Sequence, residues 1–333
     1  MKAYRLQESG AAGLVCAEES IPVPGAGEVL VRLGAASINS RDLGILAGFY
    51  PNKRGVIPLS DGAGTVEAVG PGVQGFAAGD AVVGCFYADW QAGPATAGNH
   101  AASLGCEHDG VLAEHICLPA TALVHKPVSL DFAEAATLPC AALTAWSALF
   151  TEGNLRPGQH VLVQGTGGVA TFAMQFARMA GAEVTVISGS DEKLERARTL
   201  GATHVVNYRE TTDWGSRVQE ITGGRGVDLV VELGGADTLA QSMRCVAVGG
   251  HISVIGVLSG LEAKISVPDM LFRHIRLCGI TVGHREDFLA MNRAIDLHGI
   301  QPVIDTRFGF DEAALAYEAL PRGQHFGKLV IEV

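Results

Sequence analysis

The sequence predicts an α/β protein in two domains: a doubly wound, six-stranded parallel sheet and a second, β-rich domain. Three observations carry this expectation. The chain has 333 residues, more than one hydrophobic core usually supports. Hydrophobic residues make up 48% and charged residues 18%, enough apolar material for packed cores, and no stretch has the composition of a disordered segment. Near residue 123 the pattern changes from short strands punctuated by Gly and Pro to strands alternating with helices.

In the first part, Glu28–Leu33 partly alternates apolar and polar residues, as a half-buried strand does. Gly62–Val69 and Ala81–Gly84 are further strands, and Pro22-Val23-Pro24-Gly25 and Gly70-Pro71-Gly72 supply turns. Residues 87–110 lack periodicity and are rich in small residues, which predicts a long loop of functional or lid-like character. Beyond it, strands are predicted at His160–Val163, Glu183–Ile187, His204–Asn207, Asp228–Leu233, His251–Ile255 and Leu277–Val282. Helices such as Ala170–Met179 and Asp191–Leu200 separate them, and short apolar runs with helical crossovers imply a parallel sheet covered on both faces. After Gly283 come a helix at Arg285–His298, a short segment at Pro302–Asp305, a helix from Asp311 and a closing strand at Lys328–Val333. These last elements return to the first domain. The expected domains are therefore residues 1–122 with 284–333, and residues 123–283.

Charge and cysteine usage exclude several classes. The net charge of −11 argues against nucleic acid as a principal partner, because phosphate binding needs a basic patch. The longest uncharged run, Pro157–Ala177, is interrupted by His160, Gln164, Gln175 and glycines, so no membrane span is expected. MKAYRLQESG has no apolar core and does not read as a secretory signal. The seven cysteines are scattered singly with no CxxC pair, which indicates neither a zinc knuckle nor a disulfide framework. The expectation is a soluble, reduced, cytoplasmic protein.

The run Val161–Ala170 has the order strand, turn, helix. Gly165 permits the tight turn, and Gly167 lets backbone N–H groups approach a pyrophosphate where Gly168 and Val169 open the helix. Ala170 is small enough for helix–strand packing. A ribose-gripping acid belongs about 20 residues further on, yet that place holds Ser188-Gly189-Ser190. Without a carboxylate, nothing repels a 2′-phosphate, and hydroxyls and N–H groups can donate to it. Lys193, on the first turn of the next helix, supplies charge, and Tyr208 or Arg209 can close over the site. The reading favours NADPH over NADH, with Asp191 as a helix cap. If NADH binds equally well, Asp191 becomes the ribose ligand. Gly234 follows the fourth strand and Gly256-Val257 the fifth, near where a nicotinamide amide would seek backbone partners.

The order of β-rich domain, LTAWSAL, GTGGV turn, SGSDEKLERARTLGA, NYRE and terminal GKLVI resembles the medium-chain dehydrogenase/reductase superfamily, in particular its zinc-independent quinone oxidoreductase (zeta-crystallin-like) branch. The similarity runs over essentially the whole chain and implies a Rossmann domain and a GroES-like catalytic domain. Ala170 departs from the third glycine that many members carry. Zinc-dependent members need a Cys-His-Cys set, whereas here Asn39 stands for the first Cys, Ser60 for the His, and only Cys140 remains. No metal is therefore expected. The four-cysteine structural zinc lobe is replaced by residues 87–110, with Cys106 alone.

Asn39-x-x-Asp42 followed by Gly48-Phe49-Tyr50-Pro51 resembles the N-x-x-D…G-x-Y-P stretch of quinone oxidoreductases and enoyl reductases. The resemblance implies that Tyr50 protonates the substrate, that Asn39 donates to a carbonyl or the cofactor ribose, and that Asp42 orients Asn39. Plainer roles stay open: Tyr50 as a turn residue beside Pro51, Asn39 and Asp42 as loop caps. Arg41, where zinc enzymes carry a proton-relay hydroxyl, either reaches the substrate or is solvated. By the same resemblance the loop Gly283-His284-Arg285 touches the cofactor, and Lys328 closes its cleft. The implied activity is NADPH-dependent reduction of a quinone or α,β-unsaturated carbonyl, a small electrophilic substrate. The alternatives are a metal-free or residual zinc-type alcohol/ketone oxidoreductase, or a non-catalytic cofactor-binding protein. A homodimer is implied through edge strands around Ser253–Gly256 or Ile280.

Overall fold

The computed structural model describes residues 1–8, 10, 13–50 and 52–333. The chain divides into Met1–Leu143 with Gly283–Val333, and Thr144–Val282.

In the first unit, Lys2–Leu6 (β1) and Leu14–Glu18 (β2) form an antiparallel pair. Then follow Glu28–Ile38 (β3), Asp61–Val69 (β4), Ala81–Gly84 (β5), His115–Pro119 (β6) and Leu123–His125 (β7). β3 continues five residues past the predicted end at Leu33, through Gly34-Ala35-Ala36-Ser37-Ile38. That stretch has no alternation because it is central, with β4 pairing on one side and the last strand of the chain on the other. Gly34 is required there: a Cβ would lie 2.9 Å from the Phe132 ring.

In the second unit, His160–Gln164 (β8), Glu183–Ser188 (β9), His204–Asn207 (β10), Val227–Glu232 (β11), Val246–Val254 (β12) and Arg276–Gly279 (β13) make one sheet. Its order is β10-β9-β8-β11-β12-β13 and every pairing is parallel, the doubly wound dinucleotide-binding arrangement. Leu162, Val230 and Ile252 are completely buried at its centre. β12 starts at Val246 rather than His251, because Gly249 and Gly250, which punctuate the sequence like a turn, are carried inside the strand. β12 is flanked on both sides, so Ser253 is not on an edge strand as the dimer expectation required. The edge is β13, and Ile280, just beyond it, is buried.

The chain returns to the first unit with the helix Arg285–His298, Ile304–Gly309 (β14), the helix Ala313–Ala319 and Lys328–Glu332 (β15). The larger sheet has the order β14-β15-β3-β4-β5-β7, and β6 pairs with β3. The first unit thus extends to Leu143 and not to residue 122. β7 is hydrogen-bonded to β5, so the change of sequence pattern at 123 marks the onset of helices, not of a new core.

Residues 87–110 are not an open loop. Ala102–Cys106 is buried, single bridges join Tyr87 to Ser103 and Leu104 to His108, and Tyr87 stacks on His100 at 4.7 Å and 3°. Isolated bridges leave no sequence period, which is why the segment reads as irregular. Among the described residues no helix is long and apolar enough to cross a membrane.

Candidate active site and cofactor-binding turn

In the second unit the switch in strand order lies between β8 and β11, and the glycine turn leaves the C-terminal end of β8 there. Gly165 has φ +74°, the left-handed region that a side chain resists, and its N–H donates to the Ile187 carbonyl at 2.7 Å. Gly167 is the N-cap of the helix Gly168–Met179 and has no side chain to satisfy the first N–H groups, those of Gly168 and Val169 among them. Ala170 is completely buried. These features fit a pyrophosphate seated on the helix N-terminus.

The Ser188-Gly189-Ser190 turn is roofed. A Cβ on Gly189 would lie 2.8 Å from both the Tyr208 Oη and the Arg209 Nε, so only glycine allows these two donors so close. Ser188 is buried, and the Ser190 Oγ caps the helix Asp191–Leu200 by accepting the Lys193 N–H at 3.4 Å. The Asp191 carboxylate accepts from the Asn207 amide at 2.8 Å. Lys193 lies half-buried on that first turn.

The N–H groups of the glycines after β11 and β12 have acceptors within the protein. The Gly234 N–H already donates to Gln164 Oε1 and Glu232 Oε1, each at 3.0 Å, and the Gly256 N–H to the Glu232 carbonyl at 3.1 Å. These groups are spent on the protein, and the glycines are required by packing: a Cβ on Gly256 would lie 1.9 Å from the Leu233 carbonyl oxygen. Val257 beside it is exposed. The residue that organises this loop is Glu232, fully buried, whose carboxylate also accepts from Gln164 Nε2 at 2.7 Å, the Thr238 hydroxyl at 2.5 Å, the Ser242 hydroxyl and the Gly235 N–H. Its signal in the sequence was a lone carboxylate closing an apolar β-branched run.

In the first unit, Asn39 caps the helix Ser40–Leu46 at the end of β3, and Asp42 Oδ2 accepts the Asn39 backbone N–H at 2.7 Å. Asp42 is 1% exposed, and burial pushes its carboxyl up to about 6 against the opposing charge of Arg41. β15 runs antiparallel to β3 and so brings Lys328 beside Asn39. The buried Lys328 Nζ donates to Asn39 Oδ1 at 2.5 Å and to the Ile38 carbonyl at 2.7 Å. Burial holds its ammonium below the ordinary lysine range, with Asp61 opposing. Asp61, at the start of β4, accepts from the Ser60 hydroxyl at 2.6 Å and the Cys140 N–H at 3.0 Å. Burial raises its pKa and Lys328 lowers it. Leu59 precedes this pair in the left-handed region at φ +69°, although fully buried; the Val111 N–H holds its carbonyl at 2.9 Å.

The structure therefore brings together Asn39, Asp42, Ser60, Asp61, Cys140 and Lys328. It does not make Tyr50 a hydrogen-bond partner of Asn39, Asp42 or Lys328. The Tyr50 ring lies half-exposed on Gly44, where a Cβ would be 2.6 Å from its Cε2; Pro51 lies outside the described residues. Arg41 is neither solvated nor free for a substrate. It donates to the Leu104 carbonyl and the Ser103 hydroxyl, both at 2.9 Å, and stacks 4.5 Å over Phe86, tying the 87–110 lobe to the helix. Two expected cofactor contacts are engaged within their own unit. The Arg285 Nε donates to the Leu123 carbonyl at 3.0 Å, beside the buried Gly283, and Lys328 is bonded as above.

The donor set does not fit a zinc ion. The Asn39 carbonyl is taken by an ammonium, Ser60 offers only a hydroxyl, and burial and the Asp61 charge push the Cys140 thiol up, away from the thiolate that zinc requires. Among the described residues no group of three or more His, Cys, Asp or Glu side chains could hold a metal ion.

A doubly wound sheet with a bare glycine turn, joined to a β-rich unit holding a buried polar site, defines an NAD(P)-dependent oxidoreductase fold. Residues 25–128 match the alcohol dehydrogenase GroES-like domain, and residues 168–296 match the zinc-binding dehydrogenase domain. A zinc-type alcohol dehydrogenase-like protein of Schizosaccharomyces pombe is 47% identical, covering 92% of this chain and 91% of its own. The quinone oxidoreductase of Rattus norvegicus is 27% identical, covering 99% and 97%. A solved structure from Sinorhizobium meliloti, described as an alcohol dehydrogenase, is 44% identical with a TM-score of 0.94 over 100% of this chain and 98% of its own. The chain belongs to the medium-chain dehydrogenase/reductase superfamily of oxidoreductases.

Proposed function

We propose that the protein is a metal-free, NADPH-dependent reductase of quinones or α,β-unsaturated carbonyls, of the zeta-crystallin-like branch. The observation that carries this is the Asn39 amide, buried where zinc-dependent members hold their first ligand, with its carbonyl on the Lys328 ammonium and the Asp61 carboxylate beside it. Bound NADPH would supply a hydride to the electron-poor carbon of the substrate. Asn39 or backbone N–H groups then donate to the substrate oxygen as negative charge develops there, an effect worth about 3–4 kcal/mol when the donor is preorganised. Asp42 keeps Asn39 in place through its backbone N–H. Tyr50, or water, returns a proton to the adjacent carbon.

The preference for NADPH is supported by the turn that Tyr208 and Arg209 cover, with Lys193 beside it and no acid in the ribose position. A second reading, alcohol or ketone oxidation–reduction, is favoured by the similarity to zinc-type alcohol dehydrogenase-like proteins. Simple carbonyl reduction asks for a stronger electrophile than an amide. Among the described residues no cysteine is in a disulfide, which suits a reduced, cytoplasmic setting.

The test is NADPH and NADH oxidation with a panel of quinones, enones and simple ketones, before and after dialysis against a chelator. Turnover of quinones or enones with NADPH, unchanged by the chelator, is expected. Turnover confined to ketones and abolished by chelation would replace this reading with the zinc-type one. No turnover with firm cofactor binding would leave a binding protein.

A further inference from the structure

We propose that Glu232 discriminates between the redox forms of the cofactor: its buried carboxylate favours the oxidised nicotinamide, which is cationic, over the reduced one, which is neutral. The inference rests on the dinucleotide site of the family fold and not on the choice of substrate or on the 2′-phosphate.

Glu232 ends β11 and is fully buried. Its Oε1 accepts the Gly234 and Gly235 N–H groups, each at 3.0 Å, and the Thr238 hydroxyl at 2.5 Å. Its Oε2 accepts from Gln164 Nε2 at 2.7 Å and from the Ser242 hydroxyl. Donors converging on both oxygens are the pattern of an ionised carboxyl, which only accepts. Every one of these donors is neutral, and among the described residues no Lys, Arg or His is hydrogen-bonded to Glu232. Buried charges are ordinarily paired with an opposite charge. Here dipoles hold the anion in place, and its net charge remains.

Its place in the fold supplies the partner. The strand order switches between β8 and β11, and a dinucleotide lies in the crevice outside the carboxyl ends of such strands. Gln164 ends β8 and Glu232 ends β11, and their side chains are bonded to each other, so the charge sits at the floor of that crevice. The adenosine half is directed toward β9, which carries the Ser188-Gly189-Ser190 turn, and the nicotinamide half falls to the β11 and β12 side. Glu232 also shapes that side. Its backbone carbonyl accepts the Ile255 and Gly256 N–H groups at 2.9 and 3.1 Å. The Ser259 N–H and hydroxyl donate to the Gly234 carbonyl at 2.8 and 2.9 Å, so the loops after β11 and β12 form one shelf. The two redox forms differ by one positive charge on the nicotinamide ring. A fixed anion under the shelf, in surroundings of low dielectric, tells them apart, whereas neutral contacts bind both alike.

The test compares dissociation constants of the oxidised and reduced cofactor by calorimetry. It uses the full-length protein without substrate and whichever of the NADP and NAD couples binds. Glu232→Gln should weaken the oxidised form relative to the reduced one by roughly three- to tenfold. A residue that only shapes the shelf would weaken both forms alike. Gln164→Glu combined with Glu232→Gln moves the charge to the neighbouring strand end and keeps a carboxylate–amide pair, so it should restore the wild-type ratio. Asp237→Asn removes an exposed, solvent-screened charge from the same loop and should leave the ratio unchanged. If Glu232→Gln fails to fold, the wild type decides, with ADP-ribose or its 2′-phosphate as the ligand that lacks the ring. The oxidised ring should then add more to binding than the reduced ring. An unchanged ratio in Glu232→Gln, or a reduced ring that adds as much as the oxidised one, overturns the proposal. A shifted ratio in a protein that turns over no substrate overturns the reductase reading and leaves this one standing.

Discussion

The missing Cβ of Gly189 makes room for two donors, the Tyr208 hydroxyl and the Arg209 guanidinium, above the turn where a ribose would lie. Lys193→Ala and Arg209→Ala should each weaken NADPH by about one to two orders of magnitude, the worth of one charge-assisted contact, and leave NADH nearly untouched. Ser188→Asp should go further, repelling the 2′-phosphate and offering NADH a ribose ligand; fluorescence titration of both cofactors reads the outcome. A second residue-scale prediction concerns Asp42. Its carboxyl titrates in the fold at about 6 and ordinarily at 3.8, so its burial costs nothing below pH 3.8. As pH rises through that window the unfolded chain loses the proton first, and stability falls by up to about 3 kcal/mol. Asp42→Asn removes this loss while its Oδ1 can still accept the Asn39 N–H. The variant should match the wild type near pH 3.5 and exceed it at pH 7, as urea unfolding at the two pH values will show.

At the scale of elements, the approach to β4 is a strained segment clamped by the lobe that follows β5. Leu59 is held at φ +69° by the chain at Gly105–Val111, and a Cβ on Gly110 would lie 1.9 Å from the Leu59 carbonyl oxygen. Gly110→Ala cannot be absorbed by a rotamer change, because the clash is with backbone. It should cost about 2–3 kcal/mol in denaturant unfolding and displace Ser60 and Asp61, the next two residues. The same lobe is tied through Arg41 to the helix that Asn39 caps. Residues 87–110 thus support the site by packing, and their composition of small residues reflects close approach more than mobility.

For the whole molecule, the open edge of the six-stranded sheet is β13. Near it in sequence, Leu258, Leu261, Leu271 and Phe272 are between 63% and 85% exposed, an unusual amount of apolar surface for an isolated chain. The homodimer we propose would cover this surface. Sedimentation should give twice the chain mass of 34.6 kDa. Leu261→Glu combined with Phe272→Glu should give a monomer that keeps its glycine turn and binds cofactor. A wild-type monomer at micromolar concentration would dispose of the dimer.

Local chemistry was readable without a structure. The six parallel strands, the helix Asp191–Leu200, the turn at Gly165–Gly168 and the absence of an acid at Ser188-Gly189-Ser190 each leave a signal within a few residues, through periodicity, a required glycine or a missing charge. What tertiary structure decided is which distant groups meet. Asn39 and Lys328 are 289 positions apart, and only the pairing of β15 with β3 puts an ammonium on that amide. Sequence alone assigned Lys328 to the cofactor and offered Arg41 to the substrate. The fold spends the first on Asn39 and the second on Ser103 and Leu104, because a buried donor must find an acceptor wherever the topology leaves one. The N–H groups of Gly234 and Gly256 find acceptors for the same reason. Their partner, Glu232, lies at the buried end of a strand, and nothing local announces where a buried carboxylate turns.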